Sequence, residues 1–283
     1  MQISRSSGSL DSMQSPSGRI SSKRRRFHEI VWDLRHTVFA VLRLRPRGNG
    51  LDVTALGSGF FAAPALFLTC HHVLNSNANP HQDGDSYHLL GRFAGKLAIH
   101  QIKEPSVGQD IFLYPECDLG LIKAADDPAR PYAALSYEDL PEGLTLGVAG
   151  YPLPQLITTP QGQIETAGLI FRVAQGVVTA SYEMNIQSDQ GLLRNMPVIE
   201  VNFLFVPGSS GGPVFHGETG RVLGFVHGYS AVRIRERVET ATGITDLPPG
   251  MSNMYIENVH AVYSLAVKLN RVRQLLEQFG ATL

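Results

Sequence analysis

The sequence predicts an all-β protein, and three observations support this prediction. From about residue 36 the chain consists of short apolar runs separated by turns that contain Gly, Pro and Asn. Helical periodicity is almost absent before the last fifteen residues. The composition, with 43% hydrophobic and 17% charged residues, is typical of a globular protein with a substantial core. Many short strands joined by such turns indicate β-barrels or a β-sandwich.

The predicted strands follow one another along the chain with short connections. They are HTVFAVLRLR, LGSGFFAAPALFLT, IFLYPE, LGLIKA, LTLGVAGYP, FRVAQGVVTASYEM, VIEVNFLFV, PVFHGETGRVLGFVHGYS and NMYIENVHAVYSLAVKL. One helix is predicted at the end of the chain. Asn270 is its expected N-cap, an apolar stripe includes Val272 and Leu276, and Gly280 is expected to end it.

The N-terminal leader differs from the rest of the chain. Residues 1–27 are rich in Ser and Gly and carry six basic residues against one acid, Asp11, so we expect a disordered basic leader. A weak boundary at Pro141–Gly143 divides the remainder into residues 28–140 and 141–283. This remainder is acidic overall, so we expect no nucleic-acid binding beyond a weak contact by the leader.

The sequence gives no indication of export or of membrane insertion. No run of 18 apolar residues predicts a transmembrane helix. SKRRRFHEIVWDL resembles a twin-arginine signal, but Asp33, Arg35 and His36 interrupt the following stretch and no small-residue cleavage site follows. Cys70 and Cys117 are too few for a disulfide framework. We therefore expect a cytoplasmic protein.

Three short stretches contain residues that together support nucleophilic catalysis. LTCHHV (68–73) ends an apolar run with histidine, CDLGLIK (117–123) begins one with Asp118, and GSSGGP (208–213) carries Ser210. A serine hydroxyl needs an adjacent base, and an imidazole accepts its proton when a carboxylate orients the ring. The order along the chain is His, Asp, Ser. A plain turn between two strands is the alternative interpretation of the glycines around Ser210.

These motifs resemble those of the trypsin-like (chymotrypsin-fold) serine proteases, and most closely the bacterial HtrA/Deg-type members. The resemblance covers about residues 36–280 and includes GSGFF, DLGLIK, GVAGYP, GSSGGPVF with GRVLGFVHG, and LNRVRQLLEQF. It implies two antiparallel six-stranded β-barrels, followed by a short C-terminal helix. The N-terminal barrel would carry His72 and Asp118, the C-terminal barrel Ser210, and the site would lie between them. An HtrA-type protease domain without a PDZ module is therefore expected.

The resemblance also implies roles for the residues around the nucleophile. The family pattern T-x-x-H-V assigns the base to His72 rather than to its neighbour His71. The N–H groups of Gly208 and Ser210 are expected to form the oxyanion hole. Ser209 stands where the digestive enzymes carry the aspartate that receives a new N-terminus, which argues against activation by that route.

The primary specificity pocket is expected from the same resemblance. Leu204 and Phe205 would lie at its floor, with His227, Gly228 and Tyr229 as walls or as partners for a substrate strand. No acidic residue is expected there, so cleavage after Lys or Arg is disfavoured and small or medium apolar side chains are expected before the cut. Plugging of the pocket by Phe205 and ordinary strand packing of the wall residues remain alternatives.

The same residues fit other kinds of site less well. GSSGG also fits the esterase pattern G-x-S-x-G, but only 73 residues follow Ser210, without alternating strands and helices. Cys70, His71 and His72 with His81 and His88 lack the usual zinc-ligand spacing, so no metal or cofactor is expected. A redox pair of Cys70 and Cys117 is a weaker hypothesis than two buried packing residues.

The sequence thus predicts a bacterial serine endopeptidase that acts on peptides or proteins. A catalytically silent, protease-like binding module is the main alternative. A third hypothesis is an enzyme controlled by a regulatory partner, for which the basic leader and the long polar stretch 230–253 are candidate contacts. A mobile insertion is the simpler interpretation of that stretch.

Overall fold

The predicted all-β fold class and the short C-terminal helix are confirmed by the structure. The computed structural model describes residues 25–281 except 49, 94–95, 153–154, 159–163, 189–190 and 238–254. These residues form a seven-stranded sheet, a closed six-stranded barrel and a separate two-stranded ribbon. The sheet is built from the N-terminal half and the barrel from the C-terminal half of the chain.

The N-terminal sheet is antiparallel and has the strand order β5-β4-β1-β2-β3-β7-β6. It has seven strands, whereas the family resemblance implied six, and two of the seven, β4 and β5, were not among the strands predicted from the sequence. Strand β5 is the edge strand next to β4, and most of its residues are exposed or half-exposed, so its apolar pattern is weak. The strands are β1 (Val38–Arg47), β2 (Gly50–Ala63), β3 (Leu66–Cys70), β4 (Ser86–Phe93), β5 (Lys96–Ile102), β6 (Ile111–Tyr114) and β7 (Leu119–Lys123).

The C-terminal half closes into the predicted six-stranded barrel, with the order β11-β12-β15-β14-β13-β8. Closure pairs both edges of the sheet and removes exposed backbone donors and acceptors. Among the described residues, strands β9 and β10 pair with each other and form the two-stranded ribbon. The strands are β8 (Thr145–Gly150), β9 (Gln155–Thr158), β10 (Ile164–Gly168), β11 (Arg172–Ser188), β12 (Gly191–Val201), β13 (Pro213–His216), β14 (Val222–Arg237) and β15 (Tyr255–Lys268).

A helix that the sequence analysis did not predict joins the leader to the two halves. Helix α1 (Phe27–Leu34) precedes β1, and its Phe27 ring stacks on Phe215 of the C-terminal barrel with 5.7 Å between centroids. Ile30 on the same helix is buried. The helix therefore packs against the far half of the molecule. Residues 1–24 of the predicted leader lie outside the described residues, so disorder there stays a prediction.

The remaining helical segments are short. They are α2 (His71–Leu74), α3 (Arg273–Gln278) and two 3₁₀ turns at Pro115–Cys117 and Leu269–Val272. Asn270 lies inside the second 3₁₀ turn, so its prediction as the N-cap was wrong. Val272 and Leu276 are buried as predicted. None of the described helices is long and apolar enough to cross a membrane.

The two halves share one large hydrophobic core. Phe60 and Phe67 from the N-terminal sheet belong to the same buried cluster as Phe215 and Phe225 from the barrel. Burial of such aromatic side chains is the dominant favourable term in packing. This shared core fixes the position of the loops at the junction, where the predicted catalytic residues lie.

A buried ion-pair network anchors the loop that follows α2. Asp85 is fully buried and accepts hydrogen bonds from Arg45 Nε (2.6 Å) and Nη2 (2.7 Å). Arg43, also buried, donates to the side-chain oxygen of Asn79 in this loop. Burial opposes ionisation of Asp85, but the hydrogen bonds from Arg45 and the Gln82 backbone hold its pKa below the ordinary value.

Candidate active site

The register between β3 and β7 brings the predicted base and acid together. The two strands are antiparallel neighbours and Cys70 pairs with Leu119, so the residues after β3 and before β7 lie at the same end of the sheet. His72 Nδ1 lies 3.0 Å from Asp118 Oδ1 and 2.9 Å from Oδ2. The His72 backbone N–H also donates to Oδ1 over 3.1 Å.

Asp118 is held in a special backbone conformation with its carboxylate buried. Its φ is +49°, in the left-handed region that aspartate tolerates better than most residues, and its side chain is 6% exposed. Burial disfavours its charge, but the rings of His72 and His227 outweigh that cost and lower its pKa. An ionised carboxylate can only accept hydrogen bonds, so His72 Nδ1 carries the proton and Nε2 has the basic lone pair.

Ser210 lies in a loop that is fastened to the N-terminal sheet. Its carbonyl oxygen accepts a 2.8 Å hydrogen bond from the Ser58 backbone, and its hydroxyl donates to the His227 carbonyl over 3.4 Å. Gly211 has a φ of +85°, and a Cβ there would collide with Ser58 O and Thr69 Oγ1. Ser210, His72 and Asp118 all line one cleft of about 580 Å³.

Of the predicted oxyanion donors, Gly208 lies within a turn and Ser210 follows it, and the sequence of that turn favours its geometry. Ser209 N–H donates to Val206 O over 2.9 Å and closes a β-turn with Pro207 and Gly208 at its centre. Proline holds φ near about −65°, and Gly208 has a φ of +90°, which makes this a type II turn. The Pro-Gly pair therefore favours this orientation of the peptide group whose N–H belongs to Gly208.

Residues 57–225 match the family model of the trypsin-like peptidase domain, and this range contains all three predicted catalytic residues. The chain belongs to the trypsin-like peptidases. No curated protein matches this peptidase.

Solved structures show the same fold. The HtrA-type protease AlgW with a tripeptide is 16% identical, with a TM-score of 0.55 over 90% of this chain and 65% of that chain. The active form of the Rv3671c protease from M. tuberculosis is 17% identical, with a TM-score of 0.56 over 98% of this chain and 96% of that chain. The peptidase thus spans about 65% of the length of that AlgW chain.

The predicted pocket residues of the peptidase occupy different environments. Phe205, His227 and Gly228 line the cleft, and a Cβ added to Gly228 would meet nothing within 4 Å. Leu204 is 62% exposed and is not among the cleft-lining residues. The side chain of Tyr229 lies outside the described part of the structure.

The negative charge in the cleft lies on the predicted catalytic carboxylate. Asp118 is the one carboxylate among the cleft-lining residues in the described part of the chain. It faces the two histidine rings and is therefore not available to pair with a substrate cation.

His227 makes a contact that the sequence analysis missed. It was predicted only as a pocket wall, yet its Nδ1 lies 2.6 Å from Asp118 Oδ2. The only sequence signal for this contact was its place in β14, the strand that pairs with the segment after the nucleophile.

The neighbouring cysteines and histidine have structural surroundings. The Cys70 thiol donates to Val226 O over 3.0 Å, and burial raises its pKa well above the ordinary value. Cys70, His72 and Asp118 place ligand atoms within 4.8 Å of one another. A hydrogen bond joins His72 to Asp118, whereas the Cys70 thiol donates to Val226 O. Cys117 is free and buried, with a pKa raised to about 12, chiefly by burial. His71 is 3% exposed, and burial lowers its pKa.

The polar stretch 230–253 is not a loop throughout. Strands β14 and β15 pair from Gly224 with Lys268 to Arg237 with Tyr255, so residues 230–237 are strand. Residues 238–254 lie outside the described part, and the hypothesis that they contact a regulator stays a prediction.

Proposed function

We propose that this peptidase is a serine endopeptidase in which Ser210 is the nucleophile, His72 the general base and Asp118 the orienting carboxylate. The observation that carries the proposal is the His72–Asp118 pair in the same cleft as Ser210. The turn formed by Pro207 and Gly208 supports it, because it orients an oxyanion donor next to that serine.

The chemistry follows from these positions. Ser210 Oγ attacks the substrate carbonyl carbon while His72 Nε2 takes its proton. The oxyanion of the tetrahedral intermediate accepts hydrogen bonds from the N–H groups of Gly208 and Ser210. The C–N bond then breaks, His72 returns the proton to the leaving amine, and an acyl ester remains on Ser210. Water, activated by His72, hydrolyses that ester, and Asp118 stabilises the imidazolium in both steps.

The Ser210 hydroxyl is held only by a weak hydrogen bond, so little free energy is lost when it turns toward His72. Its hydrogen bond to the His227 carbonyl is 3.4 Å long. Good O–H···O bonds are about 2.7–2.8 Å long, so this one is weak. Exchanging it for a bond to His72 when substrate excludes water from the cleft therefore costs little.

A peptide or protein is the proposed substrate class. The AlgW structures were solved with a tripeptide and with a decapeptide, which supports this class for a chain of the same fold. Control by a regulatory partner is a separate proposal that rests on the sequence alone.

The cleft supports cleavage after small or medium apolar residues. Phe205 and Gly228 offer apolar surface and open space, and the one lining carboxylate is engaged by histidines. In a fluorogenic peptide panel, we expect Ala, Val or Leu before the cut to exceed Arg in kcat/KM by at least about tenfold. A preference for Arg would show that the pocket is assigned wrongly.

Labelling with a fluorophosphonate probe tests the nucleophile directly. We expect the wild-type protein to be labelled, Ser210→Ala to be unlabelled and Ser209→Ala to be labelled. Ser209 is a matched control because it is the adjacent serine in the same loop. A folded wild-type protein without label would support the silent binding module, and label on Ser210→Ala would exclude Ser210 as the nucleophile.

A further inference from the structure

Asp118 faces a second histidine for which the proposed mechanism has no role. His227 Nδ1 lies 2.6 Å from Asp118 Oδ2, closer than the 2.9 Å between His72 Nδ1 and the same oxygen. The two rings are perpendicular, with centroids 5.7 Å apart and an interplanar angle of 89°. The carboxylate thus lies between two imidazoles.

A β-bulge puts His227 in this place. Val226 pairs with Ala266 and Gly228 pairs with Leu265, so His227 is the extra residue of β14 without a partner in the ladder to β15. A bulge turns a side chain away from the regular alternation of a strand. Here the turned side chain reaches Asp118 and is 13% exposed.

The chemistry of the contact defines the protonation of His227. The Asp118 carboxylate is ionised and can only accept, so His227 Nδ1 must carry the hydrogen. Asp118 then accepts from the His72 backbone N–H, from His72 Nδ1 and from His227 Nδ1. Three donors in fixed directions determine the plane of the carboxylate, and this plane sets the orientation of the His72 ring.

We propose that His227 is a positioning residue for the proposed hydrolysis: through its Nδ1–H it holds the Asp118 carboxylate in the orientation that His72 requires. In this role its ring acts through Asp118 and His72 rather than on the scissile bond. This inference rests on the proposed triad and adds a fourth side chain to it.

The contact also affects proton transfer. The His227 N–H stabilises negative charge on Asp118 that would otherwise stabilise the His72 imidazolium. Without that donor the imidazolium is more stable, so His72 becomes active as a base only at higher pH. In the described part of the chain, Cys70, His71 and Cys117 also interact electrostatically with Asp118, and Glu116 interacts with His71 and Cys117; both variants at position 227 keep these four side chains.

Two variants of similar size separate positioning from packing. His227→Asn keeps a donor at the position of Nδ1, whereas His227→Leu fills the space without one. For His227→Leu we expect kcat to fall about 10- to 100-fold, as for a buried acceptor that loses its donor. We expect KM to change less than about threefold, and the acid limb of the kcat/KM profile to move to higher pH. His227→Asn should restore kcat to within about threefold of wild type.

Other outcomes would overturn the proposal. Equal losses in both variants, or a change confined to KM, would make His227 a packing or pocket residue. Nitrogen-15 NMR of the histidine rings at pH 7 gives a readout without turnover, and it should show His227 protonated at Nδ1. An Nε2-protonated His227 would contradict the proposal even if the enzyme is active. A correct tautomer in a protein that does not react with the probe would refute the proposed function and leave the contact intact.

Discussion

Replacing His72 with alanine is expected to lower kcat by about 10⁶-fold, the loss typical of removing the base from a serine triad. Without the imidazole of His72, Ser210 loses the base that is proposed to accept its proton, and the Asp118 carboxylate loses the ring through which it acts on the hydroxyl. The measurement is kcat on the best fluorogenic peptide, with thermal unfolding to confirm that the variant is folded. KM should change little, because His72 acts mainly in the transition state.

His71→Ala is the matched control for this prediction. His71 is buried beside His72, and its backbone N–H, which alanine keeps, donates to the Asp118 carbonyl oxygen over 2.9 Å. Loss of its buried ring should reduce the free energy of unfolding by about 1–3 kcal/mol. The value of kcat should stay within a few-fold of wild type below the unfolding temperature. A collapse of kcat in His71→Ala, with activity retained in His72→Ala, would reverse the assignment of the base.

Asp118→Asn should lower kcat by about 10⁴-fold. Asp118 accepts from both His72 and His227, but an asparagine amide offers one oxygen and presents its NH₂ group to the other ring. A ring that faces this NH₂ must place its lone pair on Nδ1 and its proton on Nε2. In His72 that tautomer cannot take a proton from Ser210, so steady-state kcat near pH 7 measures the loss.

Asp85→Asn controls for the general effect of removing a buried carboxylate. Asp85 lies outside the cleft and pairs with Arg45 and Arg43, so its loss should reduce stability because it leaves buried cations without a partner. The kcat of this variant should remain close to wild type at temperatures where it is folded. If Asp118→Asn retained a tenth or more of the wild-type kcat, the orienting role of Asp118 would be wrong.

The sequence motifs predicted the fold class and the set of catalytic candidates because both depend on local patterns. His72 and Asp118 each lie at the end of an apolar strand, and the pairing of Cys70 with Leu119 is what brings them together. That register depends on the tertiary structure and cannot be read from local motifs. The family resemblance was what implied that the two residues meet. The type of the Val206–Ser209 turn can also be inferred from the sequence, since proline and glycine are favoured at the second and third positions of a type II turn and Pro207 and Gly208 occupy them.

Other features depended on long-range geometry and could not be read from local patterns. The bulge at His227 exists only in the ladder between β14 and β15, and nothing in VHG reveals which residue lacks a partner. Helix α1 is stabilised by Phe27 on Phe215, a contact between residues far apart in sequence. The prediction of Leu204 as a pocket residue rested on its distance from Ser210 along the chain, but its side chain is exposed to solvent and is not among the cleft-lining residues.

The Pro207–Gly208 turn has a consequence for how such an enzyme can be kept silent. Inverting the peptide between these residues would move Gly208 from a φ of +90° to a negative φ and convert the type II turn into a type I turn, which keeps the bond from Ser209 to Val206. Silencing the site at this turn would therefore take only a change of turn type, because glycine adopts either sign of φ and the bond that closes the turn exists in both types.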